Sequence, residues 1–143
     1  MNGIVVDASV AVKWCLPLVD EQFVPQAAAL LDGYLGQEIR FLVPDLFWNE
    51  LTNALCNAVR RSRVAPLDAE LALIRIQDLN IPTVSSAPFL LDAFRLAVSY
   101  DRAVYDSAYV VLAVQSGVEL VTADERLANA LAAYLPVKWL GAL

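Results

Sequence analysis

The sequence predicts an α/β fold, a three-layer α/β/α sandwich with a central, mainly parallel sheet. Two observations predict it. Apolar runs rich in β-branched residues, such as Ile4-Val5-Val6 and Phe41-Leu42-Val43, are continuous rather than alternating, as in strands buried on both faces. Helical segments separate these runs, and that alternation gives parallel strands with helices covering the sheet.

The elements follow in order. Gly3 to Val6 reads as a buried strand. Asp7 follows it, then a helix over Ser9 to Leu16. Glu21 to Tyr34 is rich in Ala and Leu and reads as a second helix, ending near Gly36. Ile39 to Val43 is a strand that Pro44 ends, and a long helix runs from about Asp45 to Arg61. Leu67 to Leu79 is another helix. Ile81 to Val84 is a short strand, placed at a sheet edge because Pro82 has no N–H to donate. Two helices cover Phe89 to Ser99 and Asp106 to Ser116, and Gly117 caps the second. A strand over Val118 to Val121, a helix over Asp124 to Tyr134 and a strand over Val137 to Leu140 complete the series. The 143 residues suit one domain, 1–143, with neither a repeat nor a linker-like tract.

Composition narrows the chemistry. The chain is 59% hydrophobic and 18% charged, which excludes intrinsic disorder and predicts apolar surface buried in a homodimer or against a partner. It contains no histidine, which excludes a Ser-His-Asp triad, a His-ligated zinc and a histidine general base. Cys15 and Cys56 are too few for a disulfide framework and read as small core hydrophobes. Trp14, Trp48 and Trp139 read as core or dimer residues. The net charge of −6 argues against nucleic-acid binding through bulk charge. Met1-Asn2-Gly3-Ile4 lacks the basic-then-apolar pattern of a leader, and no apolar run reaches the roughly 18 residues of a membrane helix. A soluble, cytoplasmic protein without membrane contact is the expectation.

Ligands of parallel sheets bind at the carboxyl ends of the strands. Four acids are candidates there. Asp7 and Asp124 each sit between a strand and a helix, where a helix cap is the simpler reading. Asp106 opens an otherwise apolar helix, and a cap is again the alternative. On the long helix Phe47, Trp48, Leu51, Leu55 and Val59 form the apolar stripe. Glu50, Asn53 and Asn57 lie off it, which alone reads as a solvated face. A doubly wound sheet brings all four acids to one rim. Four carboxylates in one cleft repel and raise each other's pKa unless cations neutralise them. Hard divalent ions with oxygen ligands, Mg²⁺ or Mn²⁺, meet that need and support phosphodiester hydrolysis without histidine. Ser9 and Thr122 stand two residues from Asp7 and Asp124, placed to hydrogen-bond the acids or to cap locally.

Four segments resemble the PIN domain: Val5-Val6-Asp7-Ala8-Ser9, Pro44 to Leu55, Tyr105 to Ala113, and Val121 to Leu127. The closest subgroup is that of VapC-type toxins of prokaryotic toxin–antitoxin pairs. The resemblance covers nearly the whole chain in the family's order. It implies a Mg²⁺- or Mn²⁺-dependent endoribonuclease whose acids are Asp7, Glu50, Asp106 and Asp124, with Ser9, Asn53 and Thr122 in support. Asp7 and Asp106 are the first choice as metal ligands, with Glu50 and Asp124 completing the set directly or through water. It also implies an RNA substrate, an antitoxin protein as partner and a homodimer. The Asp101-Arg102 pair is more charged than the family pattern. For RNA contact the sequence offers Arg60, Arg61 and Arg63, which also complement the helix dipole. The rival readings are a receiver-like Mg²⁺-binding signalling domain and a non-catalytic interaction protein whose acids are caps. Asp7 lacks the acidic neighbour that a receiver needs.

Overall fold

The computed structural model describes residues 2–17 and 21–143. Met1, where the leader reading begins, lies outside them. The elements are β1 (Asn2–Val6), α1 (Ala8–Cys15), α2 (Val24–Leu35), β2 (Ile39–Pro44), α3 (Leu46–Arg60), α4 (Pro66–Gln77), β3 (Thr83–Val84), α5 (Leu90–Tyr100), α6 (Val104–Ser116), β4 (Glu119–Thr122), α7 (Glu125–Leu131) and β5 (Val137–Trp139). The strand order is β3-β2-β1-β4-β5, and every pairing is parallel. Among the described residues seven α-helices flank the sheet, as the alternation of runs predicts.

The most continuously apolar strand takes the centre. Val5 and Val6 of β1 are fully buried, paired with Leu42 of β2 and Val121 of β4. The short strand expected from Ile81 begins only at Thr83 and lies at the edge; Pro82, just before it, offers its carbonyl to the Val43 N–H at 3.1 Å. On α3 the buried residues are Phe47, Leu51, Leu55 and Ala58, with Trp48 and Val59 half-buried beside them. Phe41 lies between Trp14, stacked at 5.6 Å, and Tyr34, stacked at 4.4 Å. All three tryptophans pack against the core.

The departures are local. α6 starts at Val104, because Ala103 is extended and turns the chain into the helix without a side-chain cap. Asp106 therefore lies within the first turn rather than opening it. α7 stops at Leu131, the last of its core-facing residues, and Tyr134 beyond it is 77% exposed. The last apolar run is a strand only to Trp139, after which Leu140 turns into a 3₁₀ helix and is buried. Cys56 is exposed on α3, not in the core, since it falls outside that helix's apolar stripe. Cys15 is half-buried, and burial pushes its thiol up to about 11.

Glu21 ties the helices together. Its carboxylate accepts from Lys13 Nζ of α1 at 3.0 Å and from Arg63 Nη2, just past α3, at 2.9 Å. Burial alone would raise its pKa, but the two donors and their charges hold it below the ordinary 4.5. A lowered folded pKa stabilises the fold above the ordinary value, and that stability is lost as pH falls through the folded value. Glu21→Gln is therefore expected to cost about 1 kcal/mol at pH 7. The difference from wild type in thermal melts should shrink once pH drops below about 4.5. A difference that stays constant down to pH 3 would show that charge plays no part.

Candidate active site

The site forms where β1 and β4 end side by side. Asp7 follows β1, and its N–H donates to the Val121 carbonyl at 3.1 Å. Asp7 occupies the N-cap position of α1, yet its side chain makes no capping bond. Instead Oδ2 accepts from Thr122 Oγ1 at 2.7 Å and from Ser9 Oγ at 2.8 Å. Each hydroxyl also accepts a backbone N–H from the β4–α7 turn. Asp124 N donates to Thr122 Oγ1 and Ala123 N to Ser9 Oγ, both at 3.0 Å. Thr122 and Asp7 are buried, so this network is shielded from water.

For Asp124 the capping reading holds. Its Oδ1 accepts from the N–H groups of Arg126 at 3.0 Å and Leu127 at 3.2 Å. Oδ2 takes no part in the cap. Asp106, in the first turn of α6, and Glu50, inside α3, are half-buried.

Electrostatics joins the four. Burial raises the pKa of Asp7, against hydrogen bonds from Thr122 and Ser9, and the charge of Asp124 adds to the rise. Burial raises Glu50 too, with Tyr109 opposing and the charges of Asp7 and Asp106 adding. Asp106 is raised by burial and by Asp7 and Asp124, with Arg102 opposing. The acids at the ends of β1 and β4 and on α3 and α6 thus share one field.

The donor set fits a hard divalent cation in kind. It consists of the oxygens of buried and half-buried acids that raise one another's pKa values and have no cationic partner in an ion pair among the described residues. Among the described residues no three acids converge into a ready-made cage. Mg²⁺ keeps several waters and takes only one or two carboxylates directly, so such a cage is not required.

The supporting residues divide. Ser9 and Thr122 hold Asp7, whereas Asn53, one turn beyond Glu50, is exposed without a side-chain hydrogen bond. Arg60 and Arg61 are exposed at the far end of α3, about 15 Å along the helix from Glu50 at 1.5 Å per residue. Arg63 is held by Glu21. The cation whose charge reaches the acids is Arg102, in the turn before α6. Its Nε donates to the Asp101 carbonyl at 2.8 Å.

Tyr109 is the residue that the motifs left without a role. It is 1% exposed, its hydroxyl has no partner, and it faces Asp7 and Glu50, whose charges add to burial in raising its pKa. The signal was its spacing, three residues after Asp106 on one helical face.

Comparison with known proteins decides the family. The PIN domain model matches residues 4–131, which span all four acids. The chain belongs to the PIN domain family. Ribonuclease VapC3 of Pyrobaculum aerophilum is 34% identical over 128 residues, covering 88% of this chain and 92% of that protein. Ribonuclease VapC12 of Mycobacterium tuberculosis is 31% identical over 126 residues, covering 88% and 90%. These relatives place this PIN domain among the VapC-type toxins. The fold agrees. A crystal structure of a Pyrobaculum aerophilum protein matches with a TM-score of 0.73 at 24% identity, covering 99% of this chain and 91% of that one. That of Mycobacterium tuberculosis VapC20, a toxin cleaving the sarcin-ricin loop, matches at 0.64 and 16%, covering 92% and 95%.

Proposed function

We propose that this PIN domain is a Mg²⁺- or Mn²⁺-dependent endoribonuclease, the cytoplasmic toxin of a toxin–antitoxin pair. The observation that carries the reading is that Asp7, Glu50 and Asp106 have their pKa values raised by burial and by neighbouring acids, Asp124 among them, in a chain without histidine. The curated relatives named as ribonucleases support RNA as the substrate.

A bound divalent ion would neutralise the acids, hold the scissile phosphate and make water nucleophilic near neutral pH. Asp7 and Asp106 would be its direct ligands, with Glu50 and Asp124 completing the set directly or through water. Ser9 and Thr122 would keep Asp7 fixed by holding Oδ2. Arg102 would offset the acids' repulsion of an incoming RNA phosphate, the role that the α3 arginines lie too far away to fill.

Sequencing RNA ends after incubation with the Mg²⁺-loaded protein tests the reading. Asp7→Asn, Glu50→Gln, Asp106→Asn and Asp124→Asn should each cut cleavage about 100-fold or more. A folded Asp7→Asn variant that cleaves at the wild-type rate would refute the set. In the same assay Arg102→Ala should raise KM and flatten the salt dependence by about 0.7, the slope of one phosphate contact on single-stranded RNA.

A homodimer belongs to the same reading. On α5, Leu91, Phe94 and Val98 are 59%, 58% and 68% exposed at helical spacing. Asp92 and Arg95 flank this stripe, so two α5 helices meeting about a two-fold axis pair opposite charges. Light scattering should show twice 15.6 kDa, reduced by Phe94→Asp. A 15.6 kDa species alone counts against the dimer.

The antitoxin would occlude the acids with a basic side chain, best an Arg with its bidentate fork. Its apolar face would lie against Trp14, Leu31 and Leu71, which line one groove between the N-terminal helices and α4. Val10 of α1 is fully buried against the core and takes no part in that groove. Mn²⁺ should bind the free toxin more tightly than the complex. Equal affinity refutes the plug.

A further inference from the structure

Two polar atoms at the site lack partners. Glu50 Oε1 and Tyr109 Oη are both buried, and neither has a hydrogen bond. Tyr109 is 1% exposed, so bulk solvent does not reach its hydroxyl. The ring packs in the core from α6. Its hydroxyl bears on the Glu50 carboxyl from close by, short of hydrogen-bond geometry. The first residue of α1, Ala8, offers its backbone on another side.

A buried hydroxyl costs free energy unless it donates or accepts. An apolar core position that keeps one beside an acid puts it to use. The other acids at this edge have their orienting partners. Ser9 and Thr122 fix Asp7, and the α7 N-terminus fixes Asp124. Glu50 lies in the second turn of α3, the helix that follows β2, and among the described residues nothing else holds it.

We infer that Tyr109 is the positioning residue of Glu50, its hydroxyl donating to Oε1 when the carboxylate is charged and thereby leaving Oε2 for a divalent cation. This rests on the metal-dependent reading above. Carboxylates that ligate metals are themselves held by outer hydrogen bonds, and removing such a bond weakens metal affinity by about 10- to 100-fold. Tyr109 touches neither substrate nor ion and acts only through Glu50.

Calorimetric titration of Mn²⁺ into wild type, Tyr109→Phe, Glu50→Gln and the double variant tests the inference, with thermal melts of each metal-free protein alongside. Phe keeps the packing and removes only the hydroxyl. Tyr109→Phe should melt no lower than wild type, because an unpartnered buried group has been deleted. It should bind Mn²⁺ about 10- to 100-fold more weakly. In the Glu50→Gln background the same change should cost nothing further. Affinity within about twofold of wild type overturns the inference, as does an equal loss in both backgrounds. A Tyr109→Phe protein that unfolds or melts lower also overturns it, by making the hydroxyl a prop of the fold. Wild type that binds no Mn²⁺ defeats the metal-dependent reading itself, and that titration alone reveals it.

Discussion

One carboxylate oxygen organises the carboxyl edge of the sheet. Asp7 Oδ2 accepts two hydroxyl protons, from Ser9 and Thr122. The same hydroxyls accept the N–H groups of Ala123 and Asp124. The turn that ends β1 is thereby tied to the turn that ends β4, although 115 residues separate Asp7 from Thr122. Parallel pairing sets the strands side by side, but pairing alone leaves their exits free. The hydroxyl pair fixes where α1 and α7 start, and with them where Asp7 and Asp124 stand. Thr122 is buried and Ser9 half-buried, so losing either hydroxyl leaves a backbone N–H and a carboxylate oxygen short of a partner, at up to about 1–3 kcal/mol each for the buried one.

The protein treats its buried acids in two opposite ways. Glu21 is paired with Lys13 and Arg63, and its pKa falls. Asp7, Glu50 and Asp106 are left without ion pairs, and their pKa values rise. The first arrangement supports the fold, since all of its charge is compensated from within. The second costs stability, and the apolar core around Val5, Val6, Phe47 and Leu120 offsets it. A cluster of acids without ion pairs keeps its negative potential for something from outside. This separates the site from the caps with which each acid, read alone, is easily confused. Only Asp124 is such a cap, and it is one in addition to sharing the field.

Most of this was legible in the sequence because burial on both faces writes itself as continuous apolar runs. Val5 and Val6 gave away the central strand, and Pro82 gave away the edge. The four acids were legible through their places relative to strands and helices. Less legible was anything set by side-chain direction across elements. Arg63 lies near Glu50 in sequence but turns back to Glu21, a partner 42 positions away, so it is lost to the site. Arg102 sits next to an acid and so looked merely charged, yet Asp101 takes a left-handed backbone at the end of α5 and sends the chain sharply into α6. Tyr109 was concealed by its own neighbours, because an aromatic in an apolar helix reads as core, and its ring is core. Only the hydroxyl at its tip belongs to the site.

The absence of histidine and the acidity of the chain then become two sides of one design. A protein of net charge −6 repels RNA at long range. Three of the negative charges are held where burial and mutual repulsion already disfavour them, and a divalent ion removes that penalty on binding. The ion reverses the local field only within a Debye length of about 8–10 Å. Beyond that range the surface would still repel, so RNA would have to be gathered by a few placed cations rather than by a basic face. Arg102, whose charge reaches Asp106, is the candidate for this, whereas Arg60 and Arg61 stand about 15 Å along α3 from Glu50. On the metal-dependent reading, substrate approach would be conditional on the ion. Without it the cleft would turn phosphates away, and a basic side chain of a partner in its place would fill and neutralise the same cleft.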